Sequence, residues 1–69
     1  MKISARNQLK GKITEISIGA IMTKIVINIG GDIYINSIIT EDSVTSLDLK
    51  LGDIVYAVIK STEVMIGTE

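Results

Sequence analysis

The chain has no cysteine, no histidine, no proline, no tryptophan and no phenylalanine. Without cysteine there are no disulfides, and without a cysteine or histidine set there is no structural zinc. A single domain of 69 residues buries only about 60% of the surface that its unfolded form exposes. With the usual covalent and metal staples missing, oligomerisation is the expected remedy. The same absences bear on chemistry. The common pairings of nucleophile and general base need His or Cys, and Asp32, Asp53 and Glu63 stand where turn residues are expected, so no enzyme is predicted. A soft metal cation would want Cys or His and a hard one clustered carboxylates. A metal handled by this chain must therefore arrive as an oxyanion, held through its oxygens by N–H and O–H donors.

Aromatic residues are almost absent, Tyr34 and Tyr56 being the only two. Surfaces that bind single-stranded nucleic acid stack bases on aromatics, and a pI near 5.3 provides no broad basic field. An oligonucleotide-binding module of the OB type is the alternative reading, and a purely structural assembly protein a further one. Long apolar runs are missing as well. None exceeds the stretch Ile54–Ile59, against the roughly 18 residues of a membrane helix. Lys2 is followed by the polar stretch Ser4–Asn7 in place of the ~7–15 apolar residues of a signal peptide, so a cytoplasmic protein is expected.

What is present is isoleucine. Fifteen Ile and five Val favour strands, because β-branched side chains suit a pleated surface. From Leu9 the apolar or small positions run Leu9, Gly11, Ile13 and then change phase to Ile16 and Ile18. A strand has a side-chain period of two, so a bulge or bend is predicted near Thr14-Glu15. A second strand spans Ile21–Ile29, with Ile21, Ile25, Ile27 and Ile29 on one face. Gly30-Gly31-Asp32 supplies a hairpin turn into a third strand, Ile33–Ile39. Thr40 is a predicted N-cap, Glu41 and Asp42 suit a helix start, and Ile39 is placed to staple onto Val44. The helix should end near Leu47-Asp48.

A fourth strand, Ile54–Ile59, is apolar on both faces, which predicts that another subunit covers one of them. A fifth short strand is expected at Val64-Met65-Ile66. Three strands, a helix and two strands make a mainly β fold, a five-stranded Greek-key OB-like barrel with one short helix between strands 3 and 4.

The net charge of −1 hides an asymmetry: Lys2, Arg6, Lys10 and Lys12 give +4 before the first acid, Glu15, and the rest of the chain carries −5. Two segments set a fixed positive charge beside a hydroxyl and backbone N–H groups. One is Ser4-Ala5-Arg6-Asn7-Gln8-Leu9-Lys10-Gly11 and the other Lys60-Ser61-Thr62. These are the donor types that replace the hydration shell of a small oxyanion. Taken singly, each also reads as ordinary surface chemistry, Arg6 as part of an exposed tail and Lys60-Ser61-Thr62 as a polar turn.

The string Ser-Ala-Arg-Asn-Gln-Leu-Lys-Gly-Lys at 4–12, the Gly-Gly hairpin, Ile-Thr-Glu-Asp-Ser-Val at 39–44, Leu-Gly-Asp at 51–53 and Val-Ile-Lys-Ser-Thr-Glu-Val-Met at 58–65 together closely resemble the molbindins, small Mop-domain proteins that bind molybdate or tungstate. The resemblance covers essentially the whole chain. It implies an OB-like barrel assembled into a homo-oligomer, a hexamer, with molybdate or tungstate held between subunits for storage and homeostasis, and no organic cofactor. Residue matching then implies that Ser4, Ala5 and Arg6 come from one subunit and Lys60 and Ser61 from another, with Asn7 in support. Molbindins also have a second class of site lined by backbone amides, for which the Gly19-Ala20-Ile21 turn is the candidate.

Overall fold

The computed structural model describes residues 1–69. Four strands and one helix follow in the order β1 (Asn7–Ile18), β2 (Met22–Gly30), β3 (Ile33–Thr40), α1 (Glu41–Ser46) and β4 (Ile54–Ile59), and a short 3-10 turn, Ser61–Glu63, follows β4. The strands form one curled antiparallel sheet in the order β3-β2-β1-β4. β1 is long enough to serve two partners. Its first half pairs with β4, from Asn7↔Ile59 to Lys12↔Ile54, and its second half with β2, from Lys12↔Asn28 to Ile18↔Thr23.

The register shifts between Ile13 and Glu15, where the apolar phase changes in the sequence. The extra residue is Thr14, whose hydroxyl reaches the Val26 carbonyl at 3.4 Å. The bulge lets Ile13 and Ile16 face the same interior although they are three residues apart. Ile13 is buried to 1% and joins Ile25, Ile27 and Ala57 in a four-residue core, with Ile16, Ile35, Ile39 and Val44 among the half-buried residues packed on it. The Leu51-Gly52-Asp53 turn is tied to this point. Gly52 N–H donates to the Ile13 carbonyl and Ile13 N–H to the Asp53 carbonyl, both at 2.9 Å.

Gly11 lies where β1 crosses from one partner to the other. A Cβ built there would sit 2.6 Å from both the Asn28 carbonyl oxygen and Ile27 Cγ2. Backbone that close leaves nothing flexible to move aside. Gly11→Ala is therefore expected to lower stability by about 1–3 kcal/mol, the usual range for overpacking, read as a shift of the urea midpoint. An unchanged midpoint would show that the sheet opens here without penalty.

The hairpin forms where Gly30-Gly31 demanded it. Gly30 (φ +140°) and Gly31 (φ +53°) occupy conformations that L-residues avoid, and Asn28 closes the turn by accepting from Gly30 N–H at 2.7 Å and donating to the Gly31 carbonyl at 2.9 Å. Thr40 caps α1, its Oγ1 accepting from Ser43 N–H at 3.1 Å. Asp53 has a structural role, because its carboxylate accepts from Lys50 N–H at 3.0 Å and so shapes the turn into β4.

Two expectations need correction. Ile21 is not part of the inward row of β2: it lies in the turn, is 75% exposed, and offers its carbonyl to Glu41 N–H. Thr23, fully buried, takes the place at the head of that row. The fifth strand is also missing. Val64-Met65-Ile66 joins no ladder, and these residues are 48%, 92% and 88% exposed. β-propensity alone does not make a strand; a neighbour must accept its backbone bonds, and beyond the Ser61–Glu63 turn the segment finds none. The sheet stays open between β3 and β4.

Candidate functional site

The β1–β4 ladder brings the two cation-hydroxyl segments to one place. Its last pair is Asn7↔Ile59, so Ser4-Ala5-Arg6 enter and Lys60-Ser61 leave at the same end of the sheet, within one chain. An open depression of about 620 Å³ lies there, lined by Ile3, Ser4, Ala5, Arg6 and Gln8. Asn7, half-buried, begins the strand behind it, while Lys60 and Ser61, both exposed, stand beside the lining and not in it.

Gln8 was not among the predicted site residues, yet it shapes the depression. Its side-chain amide donates to the Ala5 carbonyl at 2.8 Å, which fixes the segment as it enters β1. Residue type alone carried no signal for it, because the bond forms only in the bent backbone that leads into β1.

The electrostatics favour an anion. The ion pairs of the molecule are Lys24 with Glu15 at 3.1 Å and Lys50 with Asp48 at 3.5 Å; Arg6 and Lys60 enter neither. No carboxylate lines the depression. The backbone N–H groups of Ser4, Ala5 and Arg6 precede the first ladder bond and are not used within the chain. The site thus offers a five-donor guanidinium, a hydroxyl and free amides, with a second cation and a second hydroxyl alongside. Elsewhere, the Ser17 hydroxyl and then Lys24 hold the Glu15 carboxyl below its ordinary value, a surface network on the second half of β1. No group of three or more His, Cys, Asp or Glu residues is placed to hold a metal cation.

Gly19, Ala20 and Ile21 lie at the opposite end of β1 and do not join this site. They form an exposed turn in which Gly19 N–H is spent on the Met22 carbonyl at 2.8 Å.

Residues 3–66 match the TOBE domain family. Over 66 residues, covering 96% of this chain and 97% of the relative, the sequence is 53% identical to molybdenum-pterin-binding protein 1 of Clostridium pasteurianum. The chain belongs to the molbindin family of TOBE-domain proteins. A molybdate-binding protein from Sporomusa ovata has the same fold as this molbindin, with a TM-score of 0.92 and 44% identity over 99% of this chain and all of that one. The cytoplasmic molybdate-binding protein ModG, solved with molybdate bound, matches 88% of this chain and 43% of its own, at 36% identity and a TM-score of 0.82. These relatives are named for binding and not for catalysis.

Proposed function

We propose that this molbindin binds molybdate, and tungstate as its close congener, reversibly and as the free oxyanion, and that it stores or buffers the anion in the cytoplasm. The observation that carries the reading is the convergence of Arg6, Ser4 and the unused amides of residues 4–6 with Lys60 and Ser61 at one end of the sheet, around a depression whose lining has no carboxylate. The relatives' molybdate and molybdenum names support it. A pterin conjugate suits the depression less well: its lining holds no carboxylate for the amino-pyrimidinone edge and no aromatic ring for stacking.

The site belongs at a subunit boundary. In one chain the donors lie on one side of an open depression, whereas a tetrahedral dianion stripped of water needs donors around it. A second copy supplies the missing side, with Ser4, Ala5 and Arg6 of one chain facing Lys60 and Ser61 of another in a homo-oligomer, a hexamer in our reading. Asn7 supports the first set. The Gly19-Ala20-Ile21 turn keeps the unspent amides of Ala20 and Ile21 for a second class of site.

Calorimetric titration with molybdate, tungstate, sulfate and phosphate tests this. Saturable heat is expected with the first two, and none at millimolar concentration would overturn the proposal. A ligand that binds only the folded assembly also stabilises it, by about 2.7 kcal/mol at a hundred times Kd, so the thermal midpoint should rise with molybdate concentration.

A further inference from the structure

We infer that Gln8 is the positioning residue of the oxyanion site: by holding the Ala5 carbonyl it sets the main-chain donors of Ser4-Ala5-Arg6 in place before an anion arrives. Its role toward the anion rests on the proposed function, whereas the restraint belongs to the anion-free chain. Residues 1–6 carry Arg6, the Ser4 hydroxyl and the amides assigned to the anion, yet none of them enters a backbone–backbone hydrogen bond or an ion pair. Packing adds little, since of these six only Ala5 is even half-buried. One hydrogen bond ties the segment to the sheet, the 2.8 Å bond that Gln8 Nε2 donates to the Ala5 carbonyl.

Gln8 is well placed to act as an anchor. It lies within β1, half-buried and paired with Val58 of β4, so a residue fixed by the ladder reaches back to one that precedes it. The Ala5 carbonyl and the Arg6 N–H belong to one planar trans peptide. Holding the oxygen therefore fixes the line along which the N–H, on the opposite edge of the same plane, must point. It also restrains the torsions on either side, which relate the Ser4 hydroxyl to the Arg6 guanidinium.

The bond acts on strength as well as direction. A peptide whose carbonyl accepts a hydrogen bond is polarised, and its N–H becomes a better donor. Gln8 thus supports the anion through the Ala5–Arg6 peptide without having to touch it. The residue type matters for the same reason. Glutamate has the same reach but no N–H to give to a carbonyl, and it would bring a carboxylate into a lining that has none.

Gln8→Met keeps the reach of the side chain and removes the donor. In the anion-free protein the nitrogen-15 order parameters of Ala5 and Arg6 are expected to drop from about 0.85, the value of a rigid backbone, to below about 0.6, with the thermal midpoint unchanged. Binding must then order that peptide again, so calorimetry should show molybdate affinity about tenfold weaker. Gln8→Glu at about pH 8, where its carboxyl is ionised, should lose more affinity than Gln8→Met. Order parameters that Gln8→Met leaves unchanged would overturn the inference, and so would native affinity in either variant. A thermal midpoint that falls together with the affinity would make Gln8 a structural residue of β1 and overturn it as well. Titration of the unaltered protein keeps the two proposals apart: no heat with molybdate removes the site itself, whereas binding that persists undiminished in Gln8→Met removes the role of Gln8 alone.

Discussion

Replacing Arg6 by alanine is expected to weaken molybdate binding by about a hundredfold or more while leaving the fold intact. Hydrogen bonds to charged groups contribute about 1.5–3 kcal/mol each, and a guanidinium that engages two oxygens of the same anion supplies two of them. Each 1.4 kcal/mol is about a factor of ten in Kd, so loss of both exceeds two decades. Ser4 and the amides beside it are neutral, and the single charge of Lys60 balances only half of a dianion. Arg6 is exposed and enters no ion pair, so its loss should move stability by no more than about 0.5 kcal/mol, the usual range for surface positions. Lys60→Ala should show the same pattern on a smaller scale, because an ammonium is a point charge without the fork that matches two oxygens. Arg6→Lys separates charge from geometry and should fall between Arg6→Ala and the unaltered protein. Calorimetry gives the affinities and circular dichroism the fold. Near-native affinity in Arg6→Ala would place the anion elsewhere on the molecule.

These variants probe a site whose parts were legible in the sequence but whose arrangement was only partly so. Cation-hydroxyl segments announced their chemistry through residue type alone, because Arg6 and Lys60 keep their charge whatever the fold. That the two share one end of the sheet depends on the Asn7↔Ile59 register, a long-range pairing that local patterning does not contain. Gln8 escaped the same reading because its role is to fix the Ala5 carbonyl, and such a bond exists only once the chain bends. Among the strands, the bulge near Thr14, the Gly30-Gly31 turn and the limits of β4 followed from side-chain period and turn chemistry. The segment Val64-Met65-Ile66 did not, since its composition specifies strand and only a neighbour can make it one. The apolar positions Ile54, Tyr56 and Val58 of β4 stay 57%, 49% and 38% exposed in the single chain, which is the pattern the proposed assembly would cover.

Ile13→Ala should have the largest effect on stability. Ile13 is 1% exposed in a core of only four buried hydrophobic residues, and its backbone holds the Gly52-Asp53 turn through two hydrogen bonds of 2.9 Å. Truncating a buried isoleucine to alanine costs about 2–5 kcal/mol. At about 0.05–0.15 kcal/mol per residue, a chain of this length has roughly 3–10 kcal/mol in all. The loss is therefore comparable to the whole, and the variant should be largely unfolded at 25 °C or lose half or more of its urea midpoint. Ile18→Ala, at a position that is 69% exposed, should leave the midpoint within about 0.5 kcal/mol and serves as the control. If the oxyanion binds only the folded assembly, molybdate at a hundred times Kd returns about 2.7 kcal/mol to the Ile13 variant, enough to restore a measurable transition. Sulfate at the same concentration restores RT ln(1 + [L]/Kd) for its own Kd, so the two midpoints compare the two anions. A midpoint that Ile13→Ala leaves unchanged would mean that the stability of this protein resides in contacts between chains and not in the curled sheet each chain builds, because no other residue on β1 is as deeply buried.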